Sequence, residues 1–315
     1  MNNEFRNNLI NRLREKYGKI QNTGNGHTLF HVPSADFYVY FRYSKLSGSE
    51  KSTHKTFYGL RKEDLDLMQG KKSYICFLTN DATKNITLPF LQYENYFFNT
   101  SPASDGQYKV AVLFKKTGAE LYINNVGKFS VESYLGTERL SSIEVNKIII
   151  PELTHPQIQS LIGSIGIKKG FDIWFPKNDK IKIDSSIVNI KRIRENLPNY
   201  SKEIDHIIAE IDVIWLDNTN PVSFYEVEHS TPIYSGLLRF NDVLLTVPNV
   251  ENFNVIANND RENKFGREIN RPTFKQNKLI EKVTFLDYEN IYSWYVNLFG
   301  SVYTPNERRE KGCEP

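Results

Sequence analysis

AEIDVIWLDNTNPVSFYEVEH, Ala209 to His229, is the stretch on which the fold turns. Two apolar, β-branched and aromatic runs, Ala209–Asp217 and Val222–His229, flank the turn-forming residues Asn218, Thr219, Asn220 and Pro221, and read as two strands. Residues two apart in a strand face one side. The alternation puts Asp212 on a face with Ile214 and turns Ile211, Val213 and Trp215 the other way. On the next strand Glu226 and Glu228 share a face, with Val227 opposite. Paired strands lie ~4.8 Å apart, so a hairpin can bring the three acids together. They would repel one another without a cation. Carboxylate and carbonyl oxygens are hard ligands and select Mg²⁺ or Mn²⁺ over zinc.

Upstream, Thr154 is a predicted N-cap for a helix in THPQIQSLIGSIGIKKG, with Ile158, Leu161, Ile162 and Ile165 at helical spacing. FDIWF reads as a strand and IVNIKRIREN as a basic, helix-like stretch. Downstream, Ser230-Thr231-Pro232 offers a cap and a proline in the first turn of IYSGLLRFNDVLLTV, which Pro248 stops; FNVIAN reads as a further strand. The predicted order is αβββαβ, a mixed sheet flanked by helices.

The first part of the chain has another rhythm. After a helix over residues 3 to 18 and the turn Asn22–His27, the segments TLFHV, FYVYFRY, KTFYGL, SYICFL, NITLPFL, YKVAVLF and ELYINN read as strands, with a short helix at Arg61–Gln69. The expectation is an α+β or α/β multidomain protein. A β-rich, barrel-like domain (1–140) precedes the αβββαβ domain (141–315), and Gly136–Glu152 is linker-like.

The chain has 315 residues, 39% hydrophobic and 24% charged, with a mean hydropathy of −0.49. That suits a core of two domains and no membrane span. The N-terminus lacks the apolar region of a secretory signal, so a cytoplasmic location is expected. Cys76 and Cys313 are far apart and outside any metal-binding spacing, so a core thiol at Cys76 and a tail thiol at Cys313 are expected. Residues 1–130 carry 18 Lys+Arg against 11 Asp+Glu, while the rest carries 22 against 26. A basic first part suits a polyanion grip and an acidic second part suits a metal. No P-loop, G-x-S-x-G, H-E-x-x-H or Rossmann glycine pattern occurs, which removes support for motor, serine hydrolase, zincin and dehydrogenase readings.

The αβββαβ order, an Asp on the second strand and an acid-x-acid on the third resemble the PD-(D/E)xK nuclease superfamily, the fold of most Type II restriction endonucleases. IDVIWLD, FYEVEHSTPIYSGLLRFNDVL and INRPTF are similar to a branch of bacterial restriction-enzyme-like proteins. The resemblance spans about Thr154 to Phe274. It implies a Mg²⁺-dependent endonuclease, with Mn²⁺ as substitute, that hydrolyses phosphodiesters of double-stranded DNA as a homodimer alongside a cognate DNA methyltransferase. By that resemblance Asp212, Glu226 and Glu228 are the catalytic residues, and Asp212, Glu226 and the Val227 carbonyl hold the metal. Glu228 departs from the usual lysine, as in E-x-E variants, and would bind metal or accept a proton. The first helix offers Gln157 and Gln159 where an acid is common.

In the basic first part Arg42, Lys45, Lys55 and Arg61, with Lys51 and Lys62, interleave with Tyr43, Phe57 and Tyr58, as a DNA-binding β surface would. His229 is expected as a packed or capping residue and His155 as the start of its helix. Arg239, Arg261, Lys264, Arg267 and Arg271 are cations near the acids, as solvated charges or phosphate contacts. The alternative is a non-catalytic DNA-binding subunit or effector with a nuclease fold, and a third reading is an RNA-directed or repair nuclease.

Overall fold

The computed structural model describes residues 3–23, 26–48, 53–98, 100–143, 150–230, 232–248, 250 and 252–305. Thr231, Lys51 and Cys313 lie outside them. The chain divides into two compact units, Met1–Lys147 and Ile148–Pro315.

The first unit runs α1 (Asn3–Tyr17), β1 (Gln21–Asn22), β2 (Leu29–Val32), β3 (Phe37–Tyr43), β4 (His54–Arg61), α2 (Lys62–Met68), β5 (Ser73–Leu78), β6 (Ile86–Pro89), α3 (Glu94–Phe98), β7 (Gln107–Lys115), β8 (Gly118–Ile123), β9 (Gly127–Ser130) and α4 (Glu138–Ser141). The expected barrel does not close. There are two open sheets, β1-β2-β3-β5-β6 and β4-β7-β8-β9. The reason is that β3 pairs in parallel with β5, which leaves β4 to pair with β7 in the other sheet. The facing sides carry one apolar cluster, with Tyr40 and Phe77 from the first sheet and Leu60, Val112 and Leu121 from the second. On the other side, Leu9 and Leu13 of α1 pack with Phe37, Phe41 and Cys76. Burial pushes the Cys76 thiol up to about 12, so the expected core thiol is a protonated one. Part of the linker-like stretch belongs to this core: Leu140 and Ile143 are buried, and the Tyr17 hydroxyl donates to both their carbonyls.

The second unit runs α5 (His155–Lys168), β10 (Asp172–Trp174), α6 (Lys202–Ala209), β11 (Val213–Asp217), β12 (Asn220–Val227), α7 (Ile233–Thr246), β13 (Phe253–Ala257), α8 (Glu262–Ile269), α9 (Pro272–Gln276), β14 (Val283–Asp287) and α10 (Tyr288–Phe299). The expected order αβββαβ is present as α5-β10-β11-β12-α7-β13. The basic stretch forms only a 3₁₀ turn, Ile190–Arg192, and α6 is inserted after it, before β11. The sheet order is β10-β11-β12-β13-β14, antiparallel as far as β12 and parallel beyond it.

The two decisive strands carry long apolar runs because both faces are covered. On one face the Trp215 indole donates to the Ile162 carbonyl of α5 at 3.2 Å and packs on Tyr225 and Trp294. On the other, Ile214, Leu216 and Phe224 join Leu237 and Phe240 of α7. The hairpin is tighter than the four turn residues suggest: Asp217 pairs with Asn220, and Asn218 takes the left-handed conformation at φ 57° that asparagine tolerates.

Helix α5 lies against Trp215 so closely that Gly166 has no room for a side chain: a Cβ there would fall 2.5 Å from the indole nitrogen and 2.6 Å from Ile173 Cδ1. Gly166→Ala is therefore expected to destabilise by about 1–3 kcal/mol through overpacking, outweighing the ~1 kcal/mol that alanine gains in a helix interior. A lower Tm in thermal denaturation is the expected result, and an unchanged or raised Tm would contradict the packing.

Candidate active site

Asp212 sits in the bend just before β11, where the strand alternation does not reach it. It does not simply share the face of Ile214. The Val227 N–H donates to its Oδ2 at 2.7 Å, while Oδ1 faces α5, 3.2 Å from His155 Nε2 and 3.3 Å from Gln159 Nε2. The carboxylate is thus fixed from β12 on one side and from the first turns of α5 on the other. A capping box of Thr154 and Gln157 starts that helix and so fixes where His155 and Gln159 project.

Glu226 and Glu228 are both buried, 1% and 2% exposed, and both face α7 as the alternation predicts. Glu228 continues the ladder past β12, its N–H donating to the Ile256 carbonyl. A Cβ on Gly236 would fall 2.6 Å from Glu228 Oε1 and 3.2 Å from Glu226 Cβ, so the missing side chain of that helix turn makes the space for both acids. Three residues on, Arg239 donates twice to Glu226, Nε to Oε1 at 2.7 Å and Nη2 to Oε2 at 2.6 Å.

The electrostatics follow from this crowding. Burial pushes the Glu226 carboxyl up to about 8, Arg239 opposes that, and the charges of Asp212 and Glu228 add to it. Arg239 in turn holds its proton more firmly than usual, chiefly through its hydrogen bonds to Glu226. Burial works against a charged His155, but the hydrogen bond and charge of Asp212, with Asp179 and Glu228, outweigh it and raise its pKa.

Asp179 joins the site without any local sequence signal. It follows β10 in an irregular segment, and its Oδ2 accepts from Gln159 at 3.1 Å. His155, Asp179 and Asp212 each bring a ligand-type atom within 4.8 Å of the others, the one such group of three among the described residues. Gln159, completely buried, leaves its Oε1 without a hydrogen-bond partner beside them. The carboxylates of Glu226 and Glu228 are outside that group. Val227 contributes its N–H to Asp212. Of the other nearby residues, Arg261 donates to the carbonyls of Glu228 and His229, and Arg271 covers the Tyr234 ring. His229 is exposed, its ring stacked on that of Tyr288 and its Nδ1 3.0 Å from the Tyr288 hydroxyl.

In the first unit, Arg42 lies on β3 over the Tyr40 ring, Lys45 is exposed after β3, Lys55 lies on β4 beside the exposed Phe57, and Arg61 ends β4. Tyr40 links two of these positions: Arg42 covers its ring, and its hydroxyl accepts from the Arg61 main-chain N–H at 3.2 Å.

A family model described as the Type II restriction enzyme NmeDI C-terminal domain matches residues 139–300, just over half of the chain. The chain belongs to this family. It is a type II restriction-enzyme-like protein. Type II restriction enzyme NmeDI of Neisseria meningitidis serogroup C is 30% identical over 131 residues, 38% of this chain and 37% of that protein, so the chain spans well under half of that relative's length. No solved structure matches the chain. No helix among the described residues is long and apolar enough to cross a membrane.

Both perturbed groups work in one direction on stability. A carboxyl raised to about 8 destabilises the folded unit as it ionises, so stability is lost as pH climbs from the ordinary carboxylate range toward that value. The raised His155 stabilises below its ordinary pKa, and that gain is lost as pH rises through the raised value. In EDTA, the Tm of the second unit is expected to fall between roughly pH 5 and pH 8, less steeply in Glu226→Gln. A Tm that rises with pH over that window would contradict the assignment.

Proposed function

We propose that the chain is a Mg²⁺-dependent endonuclease of restriction type that hydrolyses DNA phosphodiesters, with a PD-(D/E)xK site of the E-x-E variety at Asp212, Glu226 and Glu228. What supports this is an acidic site in a member of a restriction-enzyme family: Asp212 beside Asp179 and His155 of α5, and the buried Glu226 and Glu228 facing α7. The residues fit a divalent cation. Asp212 and Asp179 bring hard oxygen donors and His155 a nitrogen, with ligand atoms within 4.8 Å of one another, beside the buried, unpartnered Oε1 of Gln159.

Asp212 and Glu226, with the Val227 main chain, would hold the ion, and Asp179 and His155 border Asp212 on the other side. A bound divalent cation offsets charge on phosphate oxygens and makes water more acidic. The protein's own groups do the rest. The Val227 N–H and Gln159 orient Asp212, Glu228 accepts a proton from the attacking water, and Arg239 orients Glu226. The β-rich first unit would bind DNA through Arg42, Lys45, Lys55 and Arg61. Cutting both strands calls for two sites, which a homodimer supplies.

A second reading, a non-catalytic DNA-binding subunit, is favoured by one observation: Arg239 engages both oxygens of Glu226, where a metal would bind.

Plasmid incubated with Mg²⁺ separates the two. Cleavage that stops in EDTA, and falls by at least about 10³-fold in Asp212→Ala and Glu226→Gln while DNA binding persists, is expected of the nuclease. Binding without any nicking by the unaltered chain would leave the second reading. In a salt titration, Arg42→Ala combined with Lys55→Ala is expected to weaken DNA binding and lower the salt slope by about 2, one for each phosphate no longer neutralised. An unchanged slope would remove these residues from the interface.

A further inference from the structure

The acid cluster has a neighbour that the cleavage chemistry does not use. A cavity of ≈ 440 Å³ opens in the second unit beside His229, Asn258, Asn259, Asp287, Tyr288 and Glu152. Its position follows from the topology. His229 lies two residues beyond β12, Asn258 and Asn259 follow β13, and Asp287 closes β14, so the cavity sits at the carboxyl ends of three parallel strands. Ligands of open sheets gather at such ends.

The lining selects the ligand. The His229 and Tyr288 rings stack 5.7 Å apart and within 18° of parallel, joined by the 3.0 Å contact between Nδ1 and the hydroxyl, which puts an aromatic pair in the lining. Asn258 and Asn259 are exposed at the rim, and each amide both donates and accepts. Glu152, Asp287 and Glu289 make the lining acidic, which repels a free anion and favours N–H donors; Asp287 Oδ1 itself accepts from the Asn290 N–H as the cap of α10. A flat molecule with an uncharged edge of mixed donors and acceptors satisfies every one of these. Carboxamides pair with the adenine edge, carboxylates accept from the cytosine amine, and aromatic faces stack on any base. The volume lies within the ~300–1,000 Å³ of small-molecule sites. The cavity also borders the chemistry: His229 follows Glu228 directly, and the Tyr288 hydroxyl, pushed up to about 12 by burial, senses the charges of Glu228 and Asp212.

We propose that the cavity walled by His229, Tyr288, Asn258 and Asn259 is a nucleobase site. The base comes either from a DNA strand, turned out of the stack near the phosphate to be cut, or from a free nucleoside. The first source rests on the endonuclease reading; the second does not.

2-Aminopurine deoxyriboside titrated into the full chain reads the site without cleavage. Stacking on the aromatic pair is expected to quench its fluorescence saturably. Asn258→Ala and Tyr288→Ala are expected to weaken this at least 10-fold, while Tyr288→Phe, which keeps the ring, retains it. In a second arm 2-aminopurine is placed at successive positions of a duplex. An emission change confined to one position, abolished in both Asn258→Ala and Tyr288→Ala, assigns the base to DNA. Nucleoside quenching without any such change assigns the free nucleoside. No signal in either arm that depends on Asn258 and Tyr288 overturns the site. Plasmid cleavage by the same preparation tests the endonuclease reading separately, so neither failure can be mistaken for the other.

Discussion

Burying Glu226 in the sheet, with two more carboxylates in reach, is the constraint that shapes the second unit. An isolated buried carboxylate costs several kcal/mol, and only a partner of opposite charge with good geometry offsets that cost. Arg239 supplies the partner with a double hydrogen bond. It can do so only because α7 lies close to β12, and that approach depends on the absent side chain of Gly236. The apolar contacts of Leu237 and Phe240 against Ile214 and Phe224 hold the helix there. Helix packing and acid placement are therefore one arrangement.

The same logic operates at Asp212 with weaker partners. Its oxygens accept from a backbone N–H and a carboxamide and face an imidazole, each of them less able than a guanidinium to neutralise a full charge. The partners of Asp212 therefore offset its charge only in part, next to the carboxylate of Asp179. The aromatic layer around Trp215 on the opposite face supplies packing that does not depend on any ionisation.

Much of this was legible in the residues. The order α5-β10-β11-β12-α7-β13 could be read because strands buried on both faces spell long apolar runs, and because Thr154 and Pro248 mark helix ends. Glu226 and Glu228 could be paired from period two alone. Asp212 could not be oriented that way, because β11 begins one residue after it and a main-chain N–H from β12 decides its direction. Asp179 was hidden because it comes from an irregular segment, and His155 because its partner lies 57 residues away. Such contacts exist only after folding. The first unit shows the same limit. Its strands were visible one by one, but a parallel β3–β5 pair that skips β4 carries no local signal, and so open sheets could not be told from a barrel.

The sealed thiol of Cys76 makes the first unit self-reporting. A protonated sulfur with no exposure reacts with an alkylating agent only while the surrounding β3–β5–β6 sheet is open. With Cys313 replaced by serine, the rate of thiol modification becomes a clock for opening of that unit alone. Events in the acidic unit, which has no cysteine among its described residues, leave that clock silent unless they propagate across the chain.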